Sequence, residues 1–365
     1  MEYDYEDFKK IGNWDWEKTM DDVLNKMGIT NIIIAGKTGV GKSTLINSVF
    51  DGNIAKTGQG RPVTKEIKKI TKEKIPVALY DTEGLELTNY KKVTSDLLEL
   101  IIDKRKIDPK EHIHVAWICL SEDSRRIEEP EIELVKKLSE YIPVISVITK
   151  ARNDNGFKKL VEKDLYDARN CVRVRAVKEE LDEGHILNPM GLETLIDVTT
   201  EVLPDAHREA FITAQKINLS EKVKRANKIV AAFSATAGGI GFTPIPFSDA
   251  IAIVPIQTAM LTQISVVFGL KSSKKLIGML TAASGTAGVV GTIGGRAAVG
   301  GLLKLIPGVG TAVGGLISGS VASAMTAAFG TAYVKTLETL MKKNNLKDLS
   351  TEKIAEEFKL NLRKR

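Results

Sequence analysis

A glycine-rich run near the start of the chain has the residue types and the spacing needed to hold phosphate groups. It fits the pattern G-x-x-x-x-G-K-[ST] and lies between the strand-like run NIIIA and the helix-like run TLINSVF. Glycines let such a loop curl until its backbone N–H groups face the phosphates, and the following helix adds the positive end of its dipole. The predicted phosphate-binding residues are Gly36, Lys37, Thr38, Gly39, Val40, Gly41, Lys42, Ser43 and Thr44.

Two of these side chains have individual predicted roles. Lys42 would contact the β- and γ-phosphates, and the Ser43 hydroxyl would ligate Mg²⁺. The alternative is a plain glycine-rich turn between a strand and a helix. The intact pattern in its strand, loop and helix context favours the phosphate site.

A second element, D-x-x-G, ends the apolar run IPVALY. Its Asp81 can hold Mg²⁺ through water, and the N–H of Gly84 can sense the γ-phosphate. Between the two motifs, the polar segment TGQGRPVTKEI contains Thr64, which we predict to close on Mg²⁺ and the γ-phosphate; a plain strand cap is the alternative. The predicted metal ligands are therefore Ser43, Thr64 and Asp81, and the predicted catalytic residues are Lys42, Thr64 and Gly84.

Residues that read a purine base are expected after the run PVISVI, where Thr149 and Lys150 stand. The usual pattern N/T-K-x-D places an aspartate two residues after the lysine, and that aspartate accepts two hydrogen bonds from guanine. Here this position holds Arg152, so Asp154 is either the base reader or a surface turn residue. Either Ala176 or Val177 is expected near the base in the next loop. GTP is favoured over ATP.

The elements that position these loops follow from the hydrophobic pattern. From Ile32 to about residue 200, short apolar runs alternate with amphipathic stretches, which predicts a mostly parallel sheet covered by helices. The alternating run EIKKITK predicts one antiparallel edge strand. The predicted fold is an α/β P-loop NTPase domain followed by an all-α, Gly/Ala-rich helical domain.

Charge and composition divide the 365 residues further. Residues 205–365 hold 20 Lys and Arg against 9 Asp and Glu, a net +11, which leaves −5 for the rest of a chain of net +6. We predict a helix over 1–29 packed on a GTPase domain at 30–204, a helical domain at 205–342 and a charged tail at 343–365. An acidic start without an apolar run, and cysteines only at 119 and 171, both in strand-like runs, predict a cytoplasmic protein without disulfides.

The basic half contains uncharged runs at 229–248, 250–270, 276–295 and 305–334, which reach or pass the roughly 20 residues that span a membrane. Gly, Ala and Pro dilute and break them. They either bind or insert into an anionic membrane, at the inner face of the cell membrane, or form a soluble bundle that binds a protein partner or self-associates; we favour the membrane. Few aromatic residues accompany the basic ones, which argues against nucleic acid as the partner.

The motifs GKTGVGKSTLINSVF, GRPVT, DTEG and TK, in this order, resemble those of the Era-like GTPases of the translation-factor-related class. The runs FTPIPFSDAIAIVPIQTAM, LLKLIPGVGTAVGG and TAAFGTAYVKTL resemble an uncharacterised domain that accompanies Era-like GTPases in bacteria and occurs in inner-membrane proteins. The architecture is also similar, more loosely, to that of the immunity-related GTPases, which act on membranes. The resemblance implies a bacterial source.

Leu85 follows Gly84, where Ras-type GTPases place a water-orienting glutamine. The resemblance therefore implies slow intrinsic hydrolysis, with the water positioned by the backbone, by K⁺ or by a partner subunit. Arg61 is either an arginine finger in a dimer or an ordinary basic loop residue. His112 and His114 are interpreted as an exposed strand start rather than a metal site.

These observations predict a switch that binds and hydrolyses GTP, in which GTP or GDP controls how the helical domain engages a membrane or partner. The alternative is a membrane-active or oligomeric scaffold in which nucleotide controls assembly and hydrolysis is incidental. An RNA-associated or ribosome-associated GTPase is less favoured.

Overall fold

The structure, a computed structural model, describes residues 16–50, 59–64, 67–73, 75–82, 84–85, 89–240, 249–270, 276, 279–280, 319–343 and 350–363. The chain divides into two compact units. We call residues 26–218 the sheet unit, and residues 1–25 with 219–365 the helical unit.

The sheet unit contains a sheet of seven strands in the order β2-β3-β4-β1-β5-β6-β7. The strands are β1 (Thr30–Ala35), β2 (Gln59–Pro62), β3 (Ile67–Lys72), β4 (Ile75–Thr82), β5 (Val115–Ser121), β6 (Val144–Thr149) and β7 (Asn170–Arg173). Strands β4, β1, β5, β6 and β7 pair in parallel, whereas β3 pairs antiparallel with β4. The predicted mostly parallel sheet with one antiparallel strand is confirmed. That strand is not the edge strand, because β2 pairs with its outer side.

Helices cover both faces of this sheet, and a small hairpin of β8 (Glu179–Glu180) and β9 (Ile186–Leu187) follows β7. Every residue of β1 and β6 is buried, as continuous apolar runs covered on both faces require. Helix α1 (Trp16–Met27) precedes the sheet, and its residues 16–25 belong to the helical unit and not, as predicted for residues 1–29, to the GTPase domain. The helices of the sheet unit are α2 (Lys42–Val49), α3 (Tyr90–Ile107), α4 (Glu129–Ser139), α5 (Phe157–Asp164), α6 (Leu192–Val202) and α7 (Asp205–Ala214).

The boundary between the units differs from the predicted one at 204, because α7 belongs to the sheet unit. The ring of Phe211 in α7 meets Phe50 edge-on with centroids 6.2 Å apart, and it meets Trp117 at 6.4 Å. The Thr30 hydroxyl also donates to the carbonyl of His207 at 2.9 Å. Helix α7 therefore completes one of the two cores of the sheet.

Residues 215–218, which we call the linker, are tied to the end of α2. Gln215 pairs with Phe50, and Lys216 donates from its N–H to the carbonyl of Val49 at 2.9 Å and from Nζ to the carbonyl of Asn47 at 2.7 Å. The Gln215 side chain accepts the N–H groups of Ile217 and Asn218. The linker is thus a fixed segment of the sheet unit.

The helical unit contains α8 (Leu219–Ile240), α9 (Asp249–Phe268), α10 (Gly319–Lys343) and α11 (Thr351–Arg363). Residues 256–268 of α9 are buried on all sides. A Cβ at Gly330 would lie 2.7 Å from Val230 Cγ2 and 2.8 Å from Met260 Sδ, so only glycine lets the three helices approach so closely. The predicted helical region after the sheet is therefore confirmed. At Gly330 its helices pack through a small residue.

The structure differs from the predicted charged tail at 343–365, because α11 is part of the core. The ring of Phe358 meets Phe329 at 5.1 Å and Tyr333 at 6.0 Å, both edge-on. Most of the predicted uncharged run at 276–295, residues 305–318 of the run at 305–334, and residues 241–248 lie outside the described residues. Among the described helices, none is both long and apolar enough to cross a membrane.

Candidate nucleotide-binding site

The glycine-rich loop connects β1 to α2, as the sequence predicts. Gly36 has φ 149°, and a Cβ there would lie 2.4 Å from the carbonyl oxygen of Cys119 in β5. Gly41 caps the start of α2 in the left-handed conformation, with φ 102°. Only glycine satisfies both positions, so the loop curls over the ends of β1 and β5.

Lys42 begins α2 and folds back over the loop. Its Nζ donates to the carbonyls of Gly36 at 2.7 Å and Lys37 at 3.2 Å. Thr38, Ser43 and Thr44 are exposed. The first turn of α2 therefore presents backbone N–H groups, a hydroxyl and an ammonium group at one point, which is the arrangement that binds phosphate.

Lys37 anchors the loop to α4. Its Nζ lies 2.6 Å from Glu128 Oε1 and 3.8 Å from Glu131 Oε1, and these two glutamates form the capping box of α4. The hydrogen bond from Lys37 lowers the pKa of Glu128. The sequence predicts Lys37 only as part of the run, and the structure gives it this specific ion pair.

Asp81 lies at the end of β4, in register with Ile34 of the neighbouring β1, and so close to the loop. Its Oδ1 is buried and has no hydrogen-bond partner among the described residues. Burial raises the pKa of Asp81, and the nearby charges of Lys42 and Lys68 oppose that rise. A buried carboxylate oxygen without a partner, and the exposed Ser43 hydroxyl, are both oxygen ligands of the kind that Mg²⁺ prefers.

Thr64 lies in the turn between β2 and β3, where its Oγ1 accepts the N–H of Ile67 at 3.1 Å. In this arrangement the hydroxyl caps a turn, which is the alternative that the sequence leaves open. Its role as a metal ligand stays a prediction. The side chain of Arg61, in β2, lies outside the described residues.

The segment after β4 also contacts the loop. Leu85 donates its N–H to the carbonyl of Gly36 at 3.3 Å, and Asn89 Nδ2 donates to the carbonyl of Gly84 at 3.3 Å. The Leu85 side chain is completely buried in the core. It cannot orient a water molecule, so the position after Gly84 is structural.

Thr149 connects the loop to the sheet. Its Oγ1 lies 2.5 Å from the carbonyl oxygen of Val40 and 3.0 Å from that of Leu120, and it donates its hydrogen between them. Lys150 follows, exposed and with φ 54°, a left-handed conformation that is uncommon outside glycine. Ala176 is partly buried against the core.

Asp154 has structural partners in this arrangement. Its Oδ1 accepts the N–H of Lys158 at 2.9 Å, near the start of α5, and lies 3.4 Å from Arg173 Nε. The carboxylate therefore stabilises a helix start and pairs with β7. Its assignment to the guanine base stays a prediction.

Sequence reasoning missed Glu122, which directly follows β5. This carboxylate is buried, with 1% of the side chain exposed, and accepts three N–H groups: Arg152 N at 2.5 Å, Asn153 N at 2.8 Å and Arg173 Nε at 2.7 Å. Burial alone would raise its pKa, but these bonds outweigh burial and hold the pKa below its usual value. The available signal was an acidic residue at the carboxyl end of a buried parallel strand, where ligand sites form.

The interpretation of His112 and His114 as an exposed strand start is wrong for His114. That ring is buried, accepts the N–H of Asn31 on Nδ1 at 2.9 Å, and lies on the ring of His207 with centroids 3.7 Å apart. The third histidine comes from α7, which the sequence separates from the other two. No cluster of three or more metal-ligating side chains occurs within the described part of the chain.

Comparison with known families matches most of both units. A family model described as "50S ribosome-binding GTPase" matches residues 31–150, and one described as "Domain of unknown function (DUF697)" matches residues 207–363.

Similar individual proteins include septin-9 of Homo sapiens, 28% identical over 33% of this chain and 25% of the relative. Cell division control protein 10 of Candida albicans is 24% identical over 47% of this chain and 60% of the relative. The chain thus spans from a quarter to 60% of the length of these relatives.

A crystal structure described as a probable GTP-binding protein engB matches with 20% identity, covering 47% of this chain and 98% of the other, at a TM-score of 0.34. The matched residues 31–150 include the phosphate loop, Asp81 and Thr149. Residues 31–150 therefore match a GTPase family, and residues 207–363 match a domain family of unknown function.

Proposed function

We propose that this protein is a GTP-binding and GTP-hydrolysing switch whose nucleotide state controls the helical unit. The observation that carries the proposal is the convergence of Lys42, the exposed Ser43 and the unpartnered Asp81 Oδ1 at one edge of the sheet. The match of residues 31–150 to a GTPase family supports it. The Era-like class and a bacterial source belong to the same proposal.

Ser43 and Asp81, joined by Thr64 when the β2–β3 turn closes, would hold Mg²⁺. The ion, when bound, neutralises charge on the phosphate oxygens. The chain's own contribution is to orient the phosphates with Lys42 and the backbone of residues 36–41, and to sense the γ-phosphate through Gly84. Because Leu85 is buried, the attacking water would be positioned by the backbone, by K⁺ or by a partner subunit, and intrinsic hydrolysis would be slow.

The linker supports a route from the nucleotide to the helical unit. Helix α2 presents its first turn to the phosphates, and its last carbonyls bind Lys216. The chain then enters α8 at Leu219. A shift of α2 would therefore be passed to the start of the helical unit.

The output is proposed to be engagement of an anionic membrane surface or a protein partner, at the cytoplasmic face of the cell membrane. The net charge of +11 over residues 205–365 supports an acidic partner surface. A second candidate is a scaffold that self-associates under nucleotide control.

Lys42→Ala tests the site. Without the ammonium group, the affinity of the full chain for Mg²⁺·GTP should fall by about a hundredfold or more, because the phosphates lose a charged hydrogen bond. Titration of a fluorescent GTP analogue measures it. Lys91→Ala, an exposed lysine of α3, is the control and should bind like the wild type. Equal affinity of the Lys42 and Lys91 variants would refute the proposed site.

A further inference from the structure

The segment after β6, residues 150–156, is held in shape by side chains from outside it. We call it the base loop, because the sequence pattern places base contacts there. Lys150, Asn155 and Gly156 all have left-handed backbone conformations, with φ 54°, 43° and 79°. Such a loop does not hold its shape through regular hydrogen bonding, so its backbone groups need other partners.

Those partners come mainly from the turn directly after β5. The Glu122 carboxylate accepts the N–H groups of Arg152 and Asn153 at 2.5 and 2.8 Å. Three residues after Glu122, Arg125 donates to the carbonyls of Asn153 and Asp154. One turn thus holds both donors and acceptors of the base loop.

Strand β7 and the residues after it contribute the remaining contacts. Arg173 Nε lies 2.7 Å from Glu122 Oε1 and compensates the charge of this buried carboxylate. Arg175 Nη1 donates to the carbonyl of Ala151 at 2.8 Å. Charged hydrogen bonds of this kind are stronger than neutral ones, and leaving one partner buried alone is costly.

Arg152 stands where the usual pattern has an aspartate, and its side chain binds a residue outside the base loop. Arg152 pairs with Glu179 of β8, with Nε 3.0 Å from Oε2. The base loop nevertheless starts beside the phosphate loop, because Thr149 binds the carbonyl of Val40. The shape of the loop is therefore specified next to the phosphate site without an aspartate at residue 152.

We infer that Glu122 is a positioning residue for recognition of the guanine base, acting by fixing the backbone of the base loop. This inference rests on the proposed GTP-binding function. Glu122 does not touch the base itself, since its side chain is buried behind the loop. It acts through Arg152 and Asn153, whose N–H groups it orients.

The test compares Glu122→Gln with the wild type for two ligands, Mg²⁺·GTP and Mg²⁺·tripolyphosphate, each competed against a fluorescent GDP analogue. Tripolyphosphate uses the phosphate loop but has no base. Glu122→Gln should bind GTP about tenfold more weakly, because a charged acceptor of three N–H groups becomes neutral. The ratio of its affinities for GTP and ATP should also fall. Its affinity for tripolyphosphate should stay within about twofold of the wild type.

Asp123→Asn is the matched control. Asp123 is the exposed neighbour of Glu122, loses the same charge, and reaches only the Arg152 side chain, at 3.8 Å. It should retain wild-type affinity for both ligands. The inference would be overturned if Glu122→Gln bound GTP as tightly as the wild type does. It would also be overturned if the variant lost affinity for GTP and for tripolyphosphate by the same factor.

A second variant covers failure of Glu122→Gln to fold. Arg125→Gln removes an exposed side chain that holds the same loop through two carbonyls, and it should weaken GTP about threefold without changing tripolyphosphate. An unchanged affinity for GTP in this variant would refute the role of the turn. If the wild type binds tripolyphosphate but shows no preference for GTP, the proposed function itself fails.

Discussion

The rings of His114 and His207, in contact and tilted by 35°, lie at the end of the sheet opposite the phosphate loop, where β1 and β5 begin. Burial, followed by the neighbouring His207 and His112, lowers the pKa of His114 to about 3, and burial also lowers that of His207. Both rings are therefore neutral in the folded protein at neutral pH. In the unfolded chain a histidine has a pKa near 6.5, so protons bind the unfolded state first as the pH falls.

Replacing His114 by Asn should make stability less sensitive to acid. In the wild type, His114 alone should lower the free energy of unfolding by about 2 kcal/mol as the pH falls from about 7.5 to about 5. The loss is about 1.4 kcal/mol per pH unit below 6.5. Asn keeps an oxygen that can accept the N–H of Asn31 but does not titrate. Urea unfolding at both pH values measures the difference. His185→Asn, on an exposed hairpin residue, is the control; the same pH slope in wild type and His114→Asn would contradict the assignment.

At the scale of single residues, the sequence predicts those functional residues whose motif lies within one short segment of the chain. The spacing of Gly36, Gly41 and Lys42 is enough to place a phosphate loop, because all three lie within one turn between β1 and α2. Glu122 could not be predicted in this way, since its partners Arg152 and Arg173 come from two other loops. The same holds for His114, whose neighbour is set by the position of α7.

Helix α2 is the element that connects the two halves of the proposed mechanism. Lys216→Met removes the bond from Nζ to the carbonyl of Asn47 while keeping the length of the side chain. GTP affinity should be unchanged, but the difference in hydrogen-exchange protection of α8 between GTP-analogue and GDP states should fall by about half. Mass spectrometry of residues 219–240 measures it.

Lys163→Met, an exposed lysine of α5, is the control for this experiment and should keep the full difference. An Lys216 variant that retains the wild-type difference would remove the linker from the route.

Elements were predictable where hydrophobic periodicity was undisturbed. The apolar runs of β1, β5 and β6 are continuous because both faces of the sheet are covered. Strand β2 was missed because Gly60 and Pro62 mark a turn in sequence, yet proline is tolerated at an edge strand such as this. Helix α11 was read as a charged tail because charges surround its apolar positions Ile354, Phe358 and Leu362, which recur every fourth residue.

The uneven charge of the whole molecule gives the proposed membrane role a direct test. The fraction of purified protein that floats with anionic vesicles should be at least about fivefold larger with a GTP analogue than with GDP. This fraction should decrease as the salt concentration rises. Neutral vesicles are the control. Absence of flotation in every nucleotide state would instead point to a protein partner or to self-association.

The division of the whole chain was the least predictable feature. The change in composition near Pro204 is real, but α7 joins the sheet unit because Phe211 packs edge-on against Phe50 and Trp117. A boundary drawn from composition detects where polarity changes, whereas a folding unit ends where its core is complete. Here the two points are separated by α7 and the linker.

The aromatic contacts of α7 also determine where the gene could be cut to produce the GTPase domain alone. A fragment that stops at residue 204 would expose the ring faces of Phe50 and Trp117 and leave the last carbonyls of α2 without the linker. Such a fragment would aggregate in expression trials even with its nucleotide motifs intact. A fragment that continues to Asn218 retains the complete core, and it is the smallest piece on which binding to nucleotides can be studied separately from the helical unit.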